Sequence, residues 1–182
     1  VLHPRAWYAE HGITLHTGDP VVAIDRRRRS VRSQSGVEVA YDRLLLATGS
    51  QPFIVPVPGA DLPGVVGFRD LDDVDTMLQA ARDGRHAVVI GGGLLGLEAA
   101  YGLARIGARV TVLHLADRLM ERQLDREGAG LLAAEIAARG INIRLNCTAE
   151  RFVGTERVET VELTDGSAIP ADLVVVAIGV RP

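Results

Sequence analysis

The sequence predicts an α/β fold built on a parallel, doubly wound sheet, and three observations carry that prediction. From Arg85 onward, short Val- and Ile-rich runs alternate with helix-length segments, the pattern of strands covered on both faces. Inside that region VVI (88–90) leads into Gly91-x-Gly93-x-x-Gly96, a spacing that turns a strand into a helix. Finally, LLLATGSQP (44–52) and VVVAIGVRP (174–182) share one form: an apolar strand, Ala, one residue, Gly, two residues, Pro.

Taken in order, Pro4 suits a first helical turn, Gly12 suits the residue after a helix, and ITLHT (13–17) alternates like a strand. A helix feeding a strand normally follows an earlier strand, so the sequence reads as beginning partway through a fold. Short strands are expected over 21–25, 30–34 and 37–41, with the arginines at 26–29 in the first hairpin turn, and a buried strand over 43–47. Charge at that turn suits a sheet edge that resists aggregation. Residues 50–64 concentrate Pro and Gly and read as a linker.

Asp70 suits the N-cap of a helix reaching Arg82, with Leu71, Val74, Leu78 and Ala81 on one face. Beyond it the expected elements are a strand over 86–90, a helix over 94–106 and a strand over 108–115. A helix over 125–139 then ends at Gly140, followed by a strand over 141–145, a hairpin through 151–166 and a last buried strand over 171–179.

Composition narrows the functions available. The apolar fraction of 47% supports a packed core, and a net charge of −3 leaves no basic field for nucleic acid or an anionic membrane. No apolar run approaches the length of a membrane helix and no signal-peptide pattern opens the sequence, so a cytoplasmic location is expected. All 20 cations are Arg, which removes lysine chemistry. The lone Cys147 forms no internal disulfide and no thiolate metal site. No nucleophile, acid-base or metal motif is found, so no catalytic and no metal residue is named.

The glycine loop is the feature with chemistry in it. Gly91 allows the sharp turn, Gly93 removes a β-carbon from the path of a pyrophosphate, and Gly96 lets helix and strand pack closely. The amides of Leu94 and Leu95, at the positive end of the helix, then face phosphate oxygens. An acidic residue ordinarily ends the second strand and binds the adenosine ribose; here His114 stands there, with Arg118 four residues on and Asp117 as a substitute carboxylate. Glu98 lies in an apolar helical run with Tyr101 and Gly102 at plus three and plus four, so it either reaches solvent or meets a ligand.

These residues together resemble the two-dinucleotide flavoprotein family of pyridine-nucleotide-dependent reductases, which includes rubredoxin and ferredoxin reductases. WYAEHGI, YDRLLLATGS, GGGLLGLEAAYGLA and RLMERQLD are similar, more narrowly, to the flavin region of the large subunit of assimilatory NAD(P)H nitrite reductase. The likeness spans essentially the whole chain. It implies a three-layer, Rossmann-type doubly wound NAD(P)-binding domain over 58–182 and a partial FAD-binding domain over 1–57.

It further implies that Ala47, Thr48 and Gly49 pass near FAD and that Val21 lies in the strand meeting its adenine. Glu98, Ile178 and Gly179 then lie toward the nicotinamide and the segment returning to the flavin. His114 departs from the glutamate of many NADH-using relatives, which leaves the choice between NADH and NADPH open. The first glycine fingerprint, for the FAD pyrophosphate, is expected upstream, and sirohaem and iron–sulfur modules downstream, in a parent enzyme that supplies the missing half of the flavin site. The implied partners are a nicotinamide dinucleotide and the remainder of a reductase, with room for a homodimer. The first alternative is a stand-alone rubredoxin or ferredoxin reductase relative whose acceptor is a small iron protein; the second is a non-catalytic NAD(H)-sensing domain, which accounts for a single fingerprint but not for the repeated Ala-x-Gly form or the strand-rich first fifty residues.

Overall fold

The computed structural model describes residues 3–82 and 84–182, which divide into two compact units, Val1–Thr48 and Gly49–Pro182. The smaller unit opens with helix α1 (Arg5–Glu10), started at Pro4 and closed at Gly12, whose φ of 69° gives the left-handed turn that ends it. Strands β1 (Val21–Asp25), β2 (Ser30–Ser33) and β3 (Glu38–Ala40) form an antiparallel sheet in sequence order. The arginines between β1 and β2 do form the turn, because Asp25 Oδ1 accepts the N–H groups of Arg27 and Arg28, each at 2.9 Å.

Two expected strands are absent from this unit. Residues 13–17 and 43–47 run as irregular backbone, with Leu45 87% and Leu46 65% exposed. A buried strand must hydrogen-bond along its edges, and no strand among the described residues pairs with 43–47.

The larger unit contains β4 (Gln51–Pro52), β5 (Val65–Val66), α2 (Leu71–Ala80), β6 (His86–Ile90), α3 (Leu94–Arg105), β7 (Arg109–Leu113), α4 (Arg126–Ala138) and β8 (Asn142–Arg144). It continues with β9 (Ala149–Val153), β10 (Thr160–Leu163), β11 (Ala168–Pro170), β12 (Leu173–Val176) and β13 (Val180–Arg181). Five strands form a parallel sheet in the order β5-β12-β6-β7-β8. Alternate side chains fill two cores. Val89, Val110, Val112 and Val175 pack with Met77, Leu103 and Ile136 of the helices, whereas Val88, Leu113, Val174 and Val176 pack with Phe152, Val161 and Leu163. Each such side chain contributes about 1.5–3 kcal/mol on burial.

The second face is therefore covered by an antiparallel meander, β9-β10-β11, where the alternation suggests helices on both sides. The stretch read as a linker is also part of the fold. Ile54, Val55, Val57, Ala60 and Leu62 pack on the second core, and the carbonyls of Pro58, Pro63 and Gly64 accept from Phe152, Val158 and Val174. For that reason the units divide at residue 48, nine residues before the boundary expected at 57. Helix α2 begins in a reciprocal capping box between Asp70 and Asp73. Its buried stripe runs through Val74, Met77 and Ala81, while Leu71 and Leu78, expected inside, are 79% and 41% exposed.

Candidate functional site

Strand β6 connects through α3 to β7 on one side and has β12, the last strand of the sheet in sequence, on its other side. Such a switch point opens a crevice. A cavity of about 540 Å³ lies there, with Gly91 to Leu95, His114, Glu121, Cys147, Ile178 and Gly179 on its wall.

The glycines do three different things. Gly91 has a φ of 122°, and a β-carbon on it would overlap the carbonyl oxygen of Ala177. Gly96 packs so that a β-carbon would overlap the carbonyl oxygen of Gly91, which brings α3 against the strand exit backbone to backbone. At Gly93 a β-carbon meets nothing within 4 Å, and the residue lines the cavity. A β-carbon added there would occupy cavity space rather than press on the protein.

Gly93 is also the N-cap of α3, which consequently has no side-chain cap. In contrast, α2 and α4 are capped by Asp70 and Asp125, which accept the N–H groups of Asp73 and Gly128 at 2.9 and 2.8 Å. The leading amides of a helix have no partner within it. Those of Leu94 and Leu95 stand on residues that line the cavity, where the helix end favours an anion.

His114 follows β7 as the spacing predicts, but both ring nitrogens are engaged. The Gly92 N–H donates to Nδ1 at 3.0 Å, which leaves the proton on Nε2, and Nε2 faces Glu121 Oε2 at 3.0 Å. Gly92 has no room for a β-carbon because the His114 ring and Leu119 lie against it. Arg118 is committed elsewhere: it bonds Asp117 and the carbonyls of Glu121 and Leu124, and it is not on the cavity wall. Asp117 is likewise held by Arg118 and by Arg126, at 3.0 and 2.6 Å. Partial desolvation opposes its ionisation, but those two arginines prevail and keep its carboxyl below the usual range.

Glu98 is exposed and shares a second hollow of about 530 Å³ with Phe68, Arg69, Leu95 and Val180. Val21 opens β1, and Ala47, Thr48 and Gly49 lie in exposed irregular backbone, Gly49 at a φ of 71°. The Cys147 thiol is pushed up by burial and donates to the Arg144 carbonyl at 3.4 Å, so it is no ready nucleophile. Among the described residues no group of three or more His, Cys, Asp or Glu is placed to hold a metal ion. Among the described residues no helix is long and apolar enough to cross a membrane. Glu121 and Gly92 line the cavity though the spacing argument passed over them; the signal for Glu121 was its place in RLMERQLD, seven residues after His114.

A family model described as pyridine nucleotide-disulphide oxidoreductase matches residues 4–182. The chain belongs to that family. Within it, the chain is 49% identical over 176 residues to the nitrite reductase [NAD(P)H] of Bacillus subtilis (strain 168), covering 97% of this chain and 22% of the relative. It is 36% identical over 182 residues to a rubredoxin-NAD(+) reductase of Ectopseudomonas oleovorans, covering 100% of this chain and 47% of that one. The crystal structure of a ferredoxin reductase from Rhodopseudomonas palustris superposes with a TM-score of 0.92 at 35% identity, covering 99% of this chain and 45% of that chain. The fold is thus that of the FAD/NAD(P)-binding oxidoreductases, and the chain spans between about a fifth and a half of these relatives. Although the family name includes disulphide, Cys147 is the only cysteine in this chain, which therefore has no internal dithiol.

Proposed function

We propose that this chain forms the nicotinamide-binding portion and part of the flavin-binding portion of an NAD(P)H-dependent FAD oxidoreductase, within a nitrite reductase large subunit. When bound, NAD(P)H would supply a hydride to the flavin, from which single electrons pass to sirohaem and iron–sulfur centres elsewhere in the enzyme. The observation that carries this reading is Gly93, a helix N-cap without a side chain whose missing β-carbon leaves cavity space directly before uncapped amides.

In this reading Leu94 and Leu95 bind the pyrophosphate through their N–H groups, and Gly91 and Gly96 hold the loop close enough for them to do so. Ile178 and Gly179 line the same cavity from the exit of β12 and bound the nicotinamide. Glu98, in the second hollow beside Leu95, is assigned to the approach of the nicotinamide. Val21, Ala47, Thr48 and Gly49 are assigned to the flavin; their exposure leaves backbone that a ligand can approach. The apolar side chains that the smaller unit exposes, Val21, Val22, Leu45 and Leu46 among them, support completion of that unit by further polypeptide. No residue of the chain needs to act as acid, base or nucleophile in a hydride step, and a cytoplasmic setting suits the chemistry.

The test is Gly93→Val. Its φ of −86° suits any residue and nothing lies within 4 Å of the new β-carbon. The variant is expected to melt with the parent protein while its affinity for NADH and NADPH, measured by calorimetric titration, falls at least about tenfold. Unchanged affinity refutes the assignment. The isolated chain is expected to hold little FAD, and a strong flavin absorbance in the purified protein would contradict the half-site reading. A rubredoxin or ferredoxin reductase is the second reading, favoured by structural similarity along the whole chain. It differs in the acceptor, so reduction of a small iron protein rather than nitrite by the full-length enzyme would establish it.

A further inference from the structure

We infer that Glu121, rather than the residue at the end of β7, supplies the carboxylate that recognises the adenosine ribose and favours NADH over NADPH. This rests on the dinucleotide reading of the cavity. The ribose of a dinucleotide whose pyrophosphate sits on the glycine loop lies over the carboxyl end of the neighbouring strand. That end is His114, and its ring has no free nitrogen to offer: Nδ1 accepts from Gly92 and Nε2 faces Glu121.

The ring instead carries the carboxylate to the place where a strand-end acid would stand. Glu121 lies on the cavity wall with its side chain one-third exposed. Oε2 is occupied by His114, whereas Oε1 has Arg122 Nε at 3.9 Å, beyond hydrogen-bond reach, and so keeps lone pairs for the ribose hydroxyls. The carboxyl is held below its usual range first by its own backbone N–H and, against the opposing effect of desolvation, by His114 and Arg122. It is therefore ionised at neutral pH. A fixed carboxylate accepts from a ribose diol and repels a 2′-phosphate.

Arg122 is the cation on the same wall and would act the other way. Its side chain is 86% exposed, against 33% for Glu121. An exposed guanidinium is screened by solvent and salt, so the braced carboxylate dominates. His114 is then a positioning residue, fixed on one side by the phosphate loop and on the other by the acid it orients.

The experiment titrates the 182-residue chain with NADH and NADPH, by calorimetry, for wild type, Glu121→Gln, Glu121→Ala, His114→Ala and Arg122→Ala. Wild type is expected to bind NADH more tightly. In Glu121→Gln the amide oxygen still accepts from His114 Nε2, the melting temperature is retained, and the NADH preference falls by about tenfold. Glu121→Ala is expected to repeat that loss. His114→Ala is expected to lose part of the preference with the charge intact, a split that a general loss of stability does not produce. Arg122→Ala is expected to retain or widen the preference. A wild-type chain that favours NADPH, or a preference unchanged in both Glu121 variants while each dinucleotide still binds, overturns the inference alone. A wild-type chain that binds neither overturns the cavity reading and this inference with it.

Discussion

Leu44 to Leu46 and Val174 to Val176 are apolar triplets followed by the same Ala-x-Gly-x-x-Pro form, and their surroundings in the fold are opposite. Val174 and Val175 are fully buried and Val176 is 1% exposed, because β12 lies between β5 and β6 with hydrogen-bonded neighbours on both edges. Leu44, Leu45 and Leu46 are 39%, 87% and 65% exposed and pair with no strand among the described residues. Sequence character is nearly constant between them, so the difference lies in partners: an apolar triplet becomes a strand when other chains of atoms close both its edges and both its faces.

The comparison is broken most severely by charge. Val175→Asp places a carboxylate between Val66 and Val89 without a partner. It is expected to cost more than about 4 kcal/mol, enough to abolish the cooperative urea transition of the larger unit. Leu45→Asp is expected to leave that transition where it was. Next in size, truncation to alanine at 175 removes two buried methyl groups and leaves a cavity, for a loss of about 2 kcal/mol. Truncation at Leu45 should stay within about 0.5 kcal/mol. Hydrogen exchange sharpens the same contrast: the amides of Val174 to Val176 are expected to exchange only on global unfolding and those of Leu44 to Leu46 within the fast phase.

The two glycines that follow the triplets give a smaller and more even effect. Gly49 and Gly179 have φ values of 71° and 125°, with open space around each. Alanine at either is expected to cost about 1 kcal/mol through backbone strain alone, read as a shift in the urea midpoint.

Acidification is expected to have the smallest effect, and both units share it. Glu162 is held below the usual carboxylate range first by its hydrogen bond from Arg151, and Asp165 first by the Ser167 hydroxyl. In the smaller unit Ser35 does the same for Asp19. A folded-state value below the unfolded one contributes stability above the unfolded value, and that contribution is lost as pH falls through the folded value. The urea midpoint should therefore be flat near neutrality and decline below the ordinary carboxylate range. Because these groups are exposed, added salt should shrink the decline.

Periodic segments were legible from sequence because local pattern and tertiary environment agree in them. The predicted spans for β6, α3 and α4 lie within a residue or so of the observed ones, and the close packing expected at Gly91 and Gly96 and the open space at Gly93 are what surround those residues. Where the environment decides, the reading failed. Residues 43–47 have the composition of a buried strand but not the neighbours. On helix α2 the expected stripe kept Val74 and Ala81 inside, but packing turned Met77 inward in place of Leu71 and Leu78. Strand β11 is three residues long and contains a proline, too little pattern to register. His114 follows β7 as the spacing predicts, yet its ring is engaged by Gly92 and by Glu121, which the loop returns to the strand end from seven residues away. No period connects such a pair.

The paired tails of the two repeats carry one more implication. Val180 lies opposite Pro52 and Arg181 opposite Gln51, with the Arg181 guanidinium 4.0 Å from the centre of the Phe53 ring. Two segments about 130 residues apart in sequence thus share one two-stranded antiparallel ribbon at the end of the larger unit where its first strand lies. Each strand of that ribbon is the other's hydrogen-bonding partner, so loosening either one frees the other, and the start of the unit is clasped to the exit of β12.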